Sequence, residues 1–257
     1  MRTVLLQTDI AWGNVDENIR RVEQLMAEND ETTVGTLFVL PEMWATGFCV
    51  EPRGMAEAEE SSAALAWMQA TARSRDCALS GSLAIRAADG TYRNRHYFVT
   101  PSGTTYYDKR HLFTHGHEDE HFTAGQQAVV ARWQGLRLLL QTCYDLRFPV
   151  FCRYGRAGEY DAIIYVANWP EKRQEQWDML LRARAIENQC CVVAVNRVGS
   201  DPSCQYGGGS VFIDPLGRTM AACPDGASRV SADMNAADIA KYRERFRVLD
   251  DRDICSQ

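Results

Sequence analysis

The 257-residue sequence predicts a mixed α/β fold. Short apolar runs of strand length alternate with stretches whose apolar residues recur at helical spacing. Hairpin-type turn signals separate several of the runs, so the sheet or sheets must be mixed rather than purely parallel. No linker, low-complexity tract or sequence repeat divides the chain, and residues 1–257 read as one domain.

The elements follow in order. Thr3 to Gln7 reads as a strand. Asn14 followed by Glu17 reads as a capping box, opening a helix with Val15, Ile19, Val22 and Met26 on one stripe. Thr36 to Leu40 is an apolar run stopped by Pro41, a buried strand. Ser61 and Ser62 offer a cap for a helix carrying Leu65, Met68 and Ala72. Strands follow at Ala78 to Ala84, His96 to Thr100 and Thr104 to Asp108, with turns at Asp89-Gly90 and Ser102-Gly103.

The second half repeats the rhythm. Ala128 to Trp133 and Leu136 to Thr142 pair across Gln134-Gly135, and Ala162 to Ala167 is a buried strand. Gln174 to Asn188 is a helix with Met179, Ala183 and Ile186 on one stripe. Cys190 to Val195 is again a strand, and Asp214-Pro215-Leu216-Gly217 turns a hairpin.

Composition narrows the function classes. Hydrophobic residues at 46% and charged residues at 24% exclude a disordered or collagen-like chain. No apolar run reaches the ~18 residues of a membrane span. The first strand lacks a signal-peptide layout, which places the protein in the cytoplasm. A net charge of −6 without a basic cluster argues against a nucleic-acid partner. Nine cysteines at scattered spacings, with no C-x-x-C pair, read as reduced thiols rather than a zinc ribbon.

Three segments deliver a reactive residue from an apolar strand into a turn. They end at Glu42, at Lys109 in Asp108-Lys109-Arg110-His111, and at Cys143. In open α/β sheets the ligand crevice lies at such strand ends. A thiol attacks only as the thiolate, so a carboxylate to take its proton and an ammonium to balance the charge complete a set. Cys143, Glu42 and Lys109 supply those roles, and a strand-to-helix turn at Cys143 would aim backbone N–H groups at a substrate carbonyl oxygen. Taken singly, each has an ordinary reading: a packed cysteine, a helix-capping glutamate, a solvated lysine.

The histidines offer a rival. All five fall between residues 96 and 121, and His111/His115 and His117/His121 have the i, i+4 spacing that puts two imidazoles on one helix face. A metal-dependent hydrolase would use them with Glu118, Asp119 and Glu120. Gly116 interrupts the run and the H-E-x-x-H order is absent, which favours a solvated polar loop. An interaction scaffold without catalysis is a further alternative, and the presence of all three reactive groups speaks against it.

Leu40-Pro41-Glu42-Met43-Trp44-Ala45-Thr46-Gly47-Phe48, Asp108 to Phe113, and Cys143-Tyr144-Asp145-Leu146-Arg147-Phe148-Pro149 resemble, in that order, the Glu, Lys and Cys signatures of the nitrilase superfamily of carbon–nitrogen hydrolases. Tyr165 to Pro170 and Arg182 to Asn188 are also similar to that family, and the likeness runs from the first strand to about Asp233. The nearest branch is that of the omega-amidases, which hydrolyse the side-chain amide of short dicarboxylate monoamides. The resemblance implies a four-layer αββα sandwich, paired through a helix layer into a homodimer or larger homo-oligomer. It implies Glu42 as general base, Cys143 as nucleophile, and Lys109 with the backbone N–H of Tyr144 around the oxyanion. No cofactor and no metal are implied, and the only partner besides a second copy is a small amide.

A second family glutamate lies in a Glu-x-x-x-aromatic-x-x-Gly pattern. Glu118 fits it, with Phe122 and Gly125 in register, better than Glu120. Arg147 stands at the point of the motif where the omega-amidases carry an arginine, and a guanidinium there is placed to clamp a substrate carboxylate bidentately; the alternative is an ion pair with Asp145 or Glu187. Trp169 is expected as a pocket wall or a core aromatic, with Arg173 nearby. The other readings the resemblance leaves open are a nitrilase and an N-carbamoyl amide hydrolase.

Overall fold

Both halves of the chain lay three parallel strands side by side and then turn back in hairpins. The computed structural model describes residues 1–27 and 33–253. In the first half, β1 (Arg2–Gln7) is followed by α1 (Val15–Ala27), β2 (Leu37–Val39), the short β3 (Glu57–Ala58) and α2 (Ala63–Arg75). β4 (Ala78–Arg86), β5 (Tyr92–Thr100) and β6 (Gly103–Asp108) complete it as an antiparallel meander. The second half runs β7 (Val130–Trp133), β8 (Leu136–Thr142), α3 (Pro149–Cys152), β9 (Ala162–Ala167), α4 (Gln174–Asn188) and β10 (Cys191–Asn196). A small hairpin, β11 (Val198–Ser200) with β12 (Gln205–Gly207), precedes β13 (Val211–Ile213) and β14 (Thr219–Ala222). β15 (Ser228–Asp233) then pairs antiparallel with β1, and α5 (Ala236–Arg245) follows.

The strand orders are β15-β1-β2-β4-β5-β6, with β3 beside β4, and β14-β13-β10-β9-β8-β7. β1, β2 and β4 are parallel, as are β8, β9 and β10. Successive side chains of a strand point to opposite faces, and here both faces are buried. In β9, Ala162, Ile164 and Val166 enter a core between the two sheets, while Ile163, Tyr165 and Ala167 enter the core beneath α4. In β1, Leu5 faces the other sheet, while Val4 and Leu6 face α1 and α2. Three stacked cores therefore join helices, sheet, sheet and helices into the four-layer αββα sandwich that the resemblance implied.

Two local expectations differ from the structure. Asn14 caps α1 by accepting from the N–H of Glu17 at 3.1 Å. The reciprocal half of the capping box is not made, because the Glu17 carboxylate turns to Arg20 and Arg21. In α4 the stripe of Met179, Ala183 and Ile186 points outward; the buried face carries Trp177, Leu181, Arg184, Ala185 and Asn188. Arg184 is admitted because its guanidinium meets Leu146 O and Glu187, so a charge occupied the face that apolar spacing assigned elsewhere. No described helix is long and apolar enough to cross a membrane.

Candidate active site

The parallel strands all end on one side of the sandwich. β2 leads through Leu40 and Pro41 to Glu42, β8 ends at Thr142 before Cys143, β9 ends before Asn168, and β6 ends before Lys109. A cavity of about 1010 Å³ opens there, with Cys143 and Lys109 in its wall. Trp12, Phe48, Phe113, Tyr144, Trp169 and Tyr206 give it an apolar lining. The β11–β12 hairpin closes one side through Asp201 to Tyr206.

Lys109 Nζ lies 2.9 Å from Glu42 Oε1 and 2.8 Å from Glu118 Oε2, and all three side chains are fully buried. Asn94 Nδ2 donates to the same two carboxylates, at 2.7 Å to Glu42 and 2.9 Å to Glu118. Its Oδ1 accepts from Ser82 at 2.8 Å, which fixes the amide so that nitrogen faces the acids. Glu42 Oε2 also accepts from Asn168 N at 2.9 Å. Each carboxylate is thus held by at least two donors, as a buried charge requires.

Glu118 fills the second-glutamate position and Glu120 does not. Glu118 is buried, whereas Glu120 is an exposed partner of His117 at 2.7 Å. The motif glycine has a packing reason. A Cβ on Gly125 would stand 2.0 Å from Asp108 O, and Gly125 N donates to Lys109 O at 3.0 Å. Only a residue without a side chain lets the Glu118 loop lie this close to the lysine strand.

Cys143 sits at φ 45°, in the left-handed region, between β8 and a 3₁₀ turn at Cys143–Arg147. A non-glycine residue there is strained, and the surroundings must hold it. Asp145 does so from below. It accepts from Thr142 N at 2.9 Å, Tyr107 Oη at 2.7 Å and His111 N at 3.0 Å, pinning the cysteine turn to the lysine strand. The turn starts the short helix, so its first N–H groups, Tyr144's included, lack intrahelical acceptors.

Electrostatics follow from burial. Burial pushes the Cys143 thiol well above its usual range; the charge of Glu42 adds to this, against the pull of Lys109. Burial alone would lower Lys109, yet Glu118, Glu42 and Cys143 outweigh it and leave the ammonium raised above its ordinary value. Glu118 is raised, by burial first, with Lys109 opposing and Glu42 reinforcing. The resting thiol is therefore protonated, and its proton must leave as the thiol attacks.

Arg147 and Trp169 both line the cavity, the guanidinium 4.9 Å from the indole centroid. The partners weighed for an Arg147 ion pair are engaged elsewhere: Asp145 as above, Glu187 with Arg153 and Arg184. Trp169 meets both expectations, being part of the core beneath α4 and a wall of the cavity. Its Nε1 donates to Arg173 O at 2.6 Å, and the Arg173 guanidinium lies over Phe113 at 5.3 Å.

The histidine run does not form a helix face. It folds as two 3₁₀ turns, Thr114–Gly116 and Glu118–Glu120, broken by His117 at φ 61°. His111 bonds Asp145, His117 bonds Glu120 and His121 meets Glu51. Among the described residues no three His, Cys, Asp or Glu side chains are placed to hold a metal ion. The sequence reading missed Asn94, Ser82, the contacts of Asn168, and the β11–β12 wall. Asn94 had a signal: β5 begins at Tyr92, four residues before the His96 start expected from apolar content, and a buried asparagine in a strand marks a polar partner.

Fold and residue set together define a class: an αββα enzyme with a cysteine, a lysine and two glutamates in one buried cleft. The carbon–nitrogen hydrolase family matches residues 2–244. The chain is 39% identical to "Omega-amidase YafV" of Escherichia coli K12, over 98% of this chain and 97% of the relative. It is 33% identical to "2-oxoglutaramate amidase" of Bacillus subtilis, over 96% of this chain and 95% of the relative. The crystal structure of XC1258 from Xanthomonas campestris, a CN-hydrolase superfamily protein with an arsenic adduct in its active site, superposes with a TM-score of 0.91 at 36% identity. That match covers 100% of this chain and 98% of the other. The chain belongs to the carbon–nitrogen hydrolase family, within the nitrilase superfamily, and is an amidohydrolase.

Proposed function

We propose that this enzyme hydrolyses the side-chain amide of a short dicarboxylate monoamide, such as α-ketoglutaramate, and that residues 1–257 act as one catalytic domain. The observation that carries the substrate is Arg147. It lines the cavity that holds Cys143, and no carboxylate of the described residues pairs with it. A guanidinium fork facing a cleft matches a carboxylate bidentately and would fix the amide carbon over the thiol. The names of the relatives support the same class of substrate.

In this mechanism Glu42 takes the Cys143 proton as sulfur bonds to the amide carbon. The oxyanion forms between Lys109 Nζ and Tyr144 N–H, each such donor contributing on the order of 3 kcal/mol. The C–N bond breaks as Glu42 returns the proton to nitrogen, and ammonia leaves a thioester. Water then gives a proton to Glu42 and attacks, the C–S bond breaks, and sulfur regains its proton. Glu118 keeps Lys109 in place through the 2.8 Å contact.

The test is kcat/KM for α-ketoglutaramate and for a neutral amide of equal length, in wild type and Arg147→Lys. Wild type should prefer the anionic amide, and the lysine variant should lose that preference, because an ammonium cannot make the fork. A wild-type preference for the neutral amide, or an unchanged preference in the variant, would point to a nitrilase or N-carbamoyl branch.

The reading extends to assembly and compartment. Met179 and Ile186 on α4 are 63% and 52% exposed, and Leu216 in the β13–β14 turn is 48% exposed. This apolar strip suits a second copy of the chain, and Ile186→Glu should shift the sedimentation profile toward monomer. Free thiols at all eight described cysteines fit a reducing cytoplasm.

A further inference from the structure

β9 and β10 run side by side until Ala167 meets Asn196, and there the backbone ladder ends. The next pairing is made by a side chain. Asn196 Oδ1 accepts from Trp169 N at 2.8 Å, and Nδ2 donates to Trp169 O at 3.0 Å and to Gly208 O at 2.8 Å. Two carbonyls and one N–H fix which end of the amide is nitrogen. Asn196 is fully buried, at the end of a strand whose other residues are all apolar. A polar group is kept in such a place when it is bonded, and a satisfied buried network specifies one arrangement. The arrangement specified here is that of Trp169. Its ring is tied as well: Nε1 donates to Arg173 O at 2.6 Å, and the indole packs 5.5 Å from that of Trp177.

A cation lies over the locked ring. The Arg147 guanidinium stands 4.9 Å from the indole centroid, in the wall of the cavity that holds Cys143. Among the described residues no acid and no hydrogen-bond acceptor holds it. The aromatic face is what orients it, and a guanidinium on such a face keeps its N–H edge for an incoming anion. We infer that Asn196 is a positioning residue for substrate selection: by clamping the N–H and C=O of Trp169 it fixes the face on which Arg147 lies, and so sets the preference for amides that carry a carboxylate. The inference rests on the substrate reading above and deepens it. Without the clamp the indole can shift, and the guanidinium with it; a displacement of ~1 Å is enough to spoil the placement of a reactant. The same clamp steadies Asn168, whose N–H donates to Glu42 Oε2 at 2.9 Å. Loss of Asn196 therefore slows the chemistry on every amide and also weakens the grip on anionic ones.

A merely structural Asn196 would show only the first effect. The experiment measures kcat/KM for α-ketoglutaramate and for pentanamide, a neutral amide of the same carbon count, in wild type, Asn196→Ala, Arg147→Met and the double variant. In Asn196→Ala both values fall, and the ratio of anionic to neutral amide falls a further ~10-fold, the scale of a desolvated cation–π contact. In the Arg147→Met background the same change leaves the ratio within about twofold, because the group it acts through is gone. Trp169→Phe keeps an aromatic face and should hold the ratio within about threefold, whereas Trp169→Leu should lower it ~10-fold. Equal losses for the two amides in Asn196→Ala, or a ratio that still falls in the Arg147→Met background, overturn the inference and leave the substrate reading intact. A Trp169→Leu enzyme with the wild-type ratio overturns it as well. If Asn196→Ala does not fold, Asn196→Ser, whose hydroxyl is too short to span both groups of Trp169, takes its place under the same criteria. A wild type that does not prefer α-ketoglutaramate overturns the substrate reading and the inference with it.

Discussion

Lys109→Met removes the one ammonium between two buried carboxylates and keeps the length of the stem. Lys109 is 1% exposed, with Glu42 and Glu118 at 2.9 and 2.8 Å. Two effects follow from that geometry. The oxyanion loses a donor, which lowers kcat by ~100- to 1,000-fold. The acids lose their counter-charge and stand together on Asn94 Nδ2. Removing one partner of a buried pair costs about 3–5 kcal/mol where the other charge stays ionised. That cost depends on pH. Glu118 is already raised by burial, with Lys109 the group opposing the rise, so its native pKa climbs further in the variant. The native state then binds more protons than the unfolded chain above the ordinary glutamate value of 4.5. Stability therefore falls as pH rises from there, and the deficit against wild type is larger at pH 8 than at pH 5. Ammonia release measures the first effect and urea unfolding at the two pH values the second. A variant within a few-fold of wild-type kcat, or a deficit that shrinks as pH rises, would refute the placement of Lys109 between the two acids.

Cys143→Ala should abolish turnover with the melting curve retained, whereas Cys190→Ala, at a fully buried core position, should leave kcat near wild type and cost about 1 kcal/mol in urea unfolding. Gly125→Ala should lower both stability and kcat, because its Cβ would meet Asp108 O at 2.0 Å and push the Glu118 loop off Lys109; circular-dichroism melts and ammonia release read the two. Asp145→Ala frees Thr142 N, Tyr107 Oη and His111 N at once and should reduce kcat more than KM, with unchanged values arguing that the cysteine turn holds itself. Iodoacetamide should inactivate the enzyme, more slowly at neutral pH than expected of a free thiolate because the thiol is raised, and EDTA should leave activity unchanged.

The sequence by itself determined most of the elements and offered the candidate reactive set. Runs such as Ala162 to Ala167 are apolar at every position because both faces of the strand are buried, and that pattern is local. Glu42, Lys109 and Cys143 were singled out by the three motifs that resemble the family signatures, since strand ends alone left each an ordinary reading, and the motif register with Phe122 and Gly125 pointed to Glu118 over Glu120. What the sequence left open is set by contacts between residues far apart in the chain. Whether Met179 and Ile186 face core or solvent depended on Arg184 finding Leu146 O, 38 residues away. Whether the histidines gather depended on Asp145, Glu120 and Glu51 drawing them apart. Asn94 shows only as a polar residue within a strand, and Asn168, just past the end of β9, carries no periodic signal; neither reveals its partner until the tertiary fold brings Glu42 to it. Periodicity reports which face an element buries, but a hydrogen bond across 52 or 126 residues is decided only when the sheets pack.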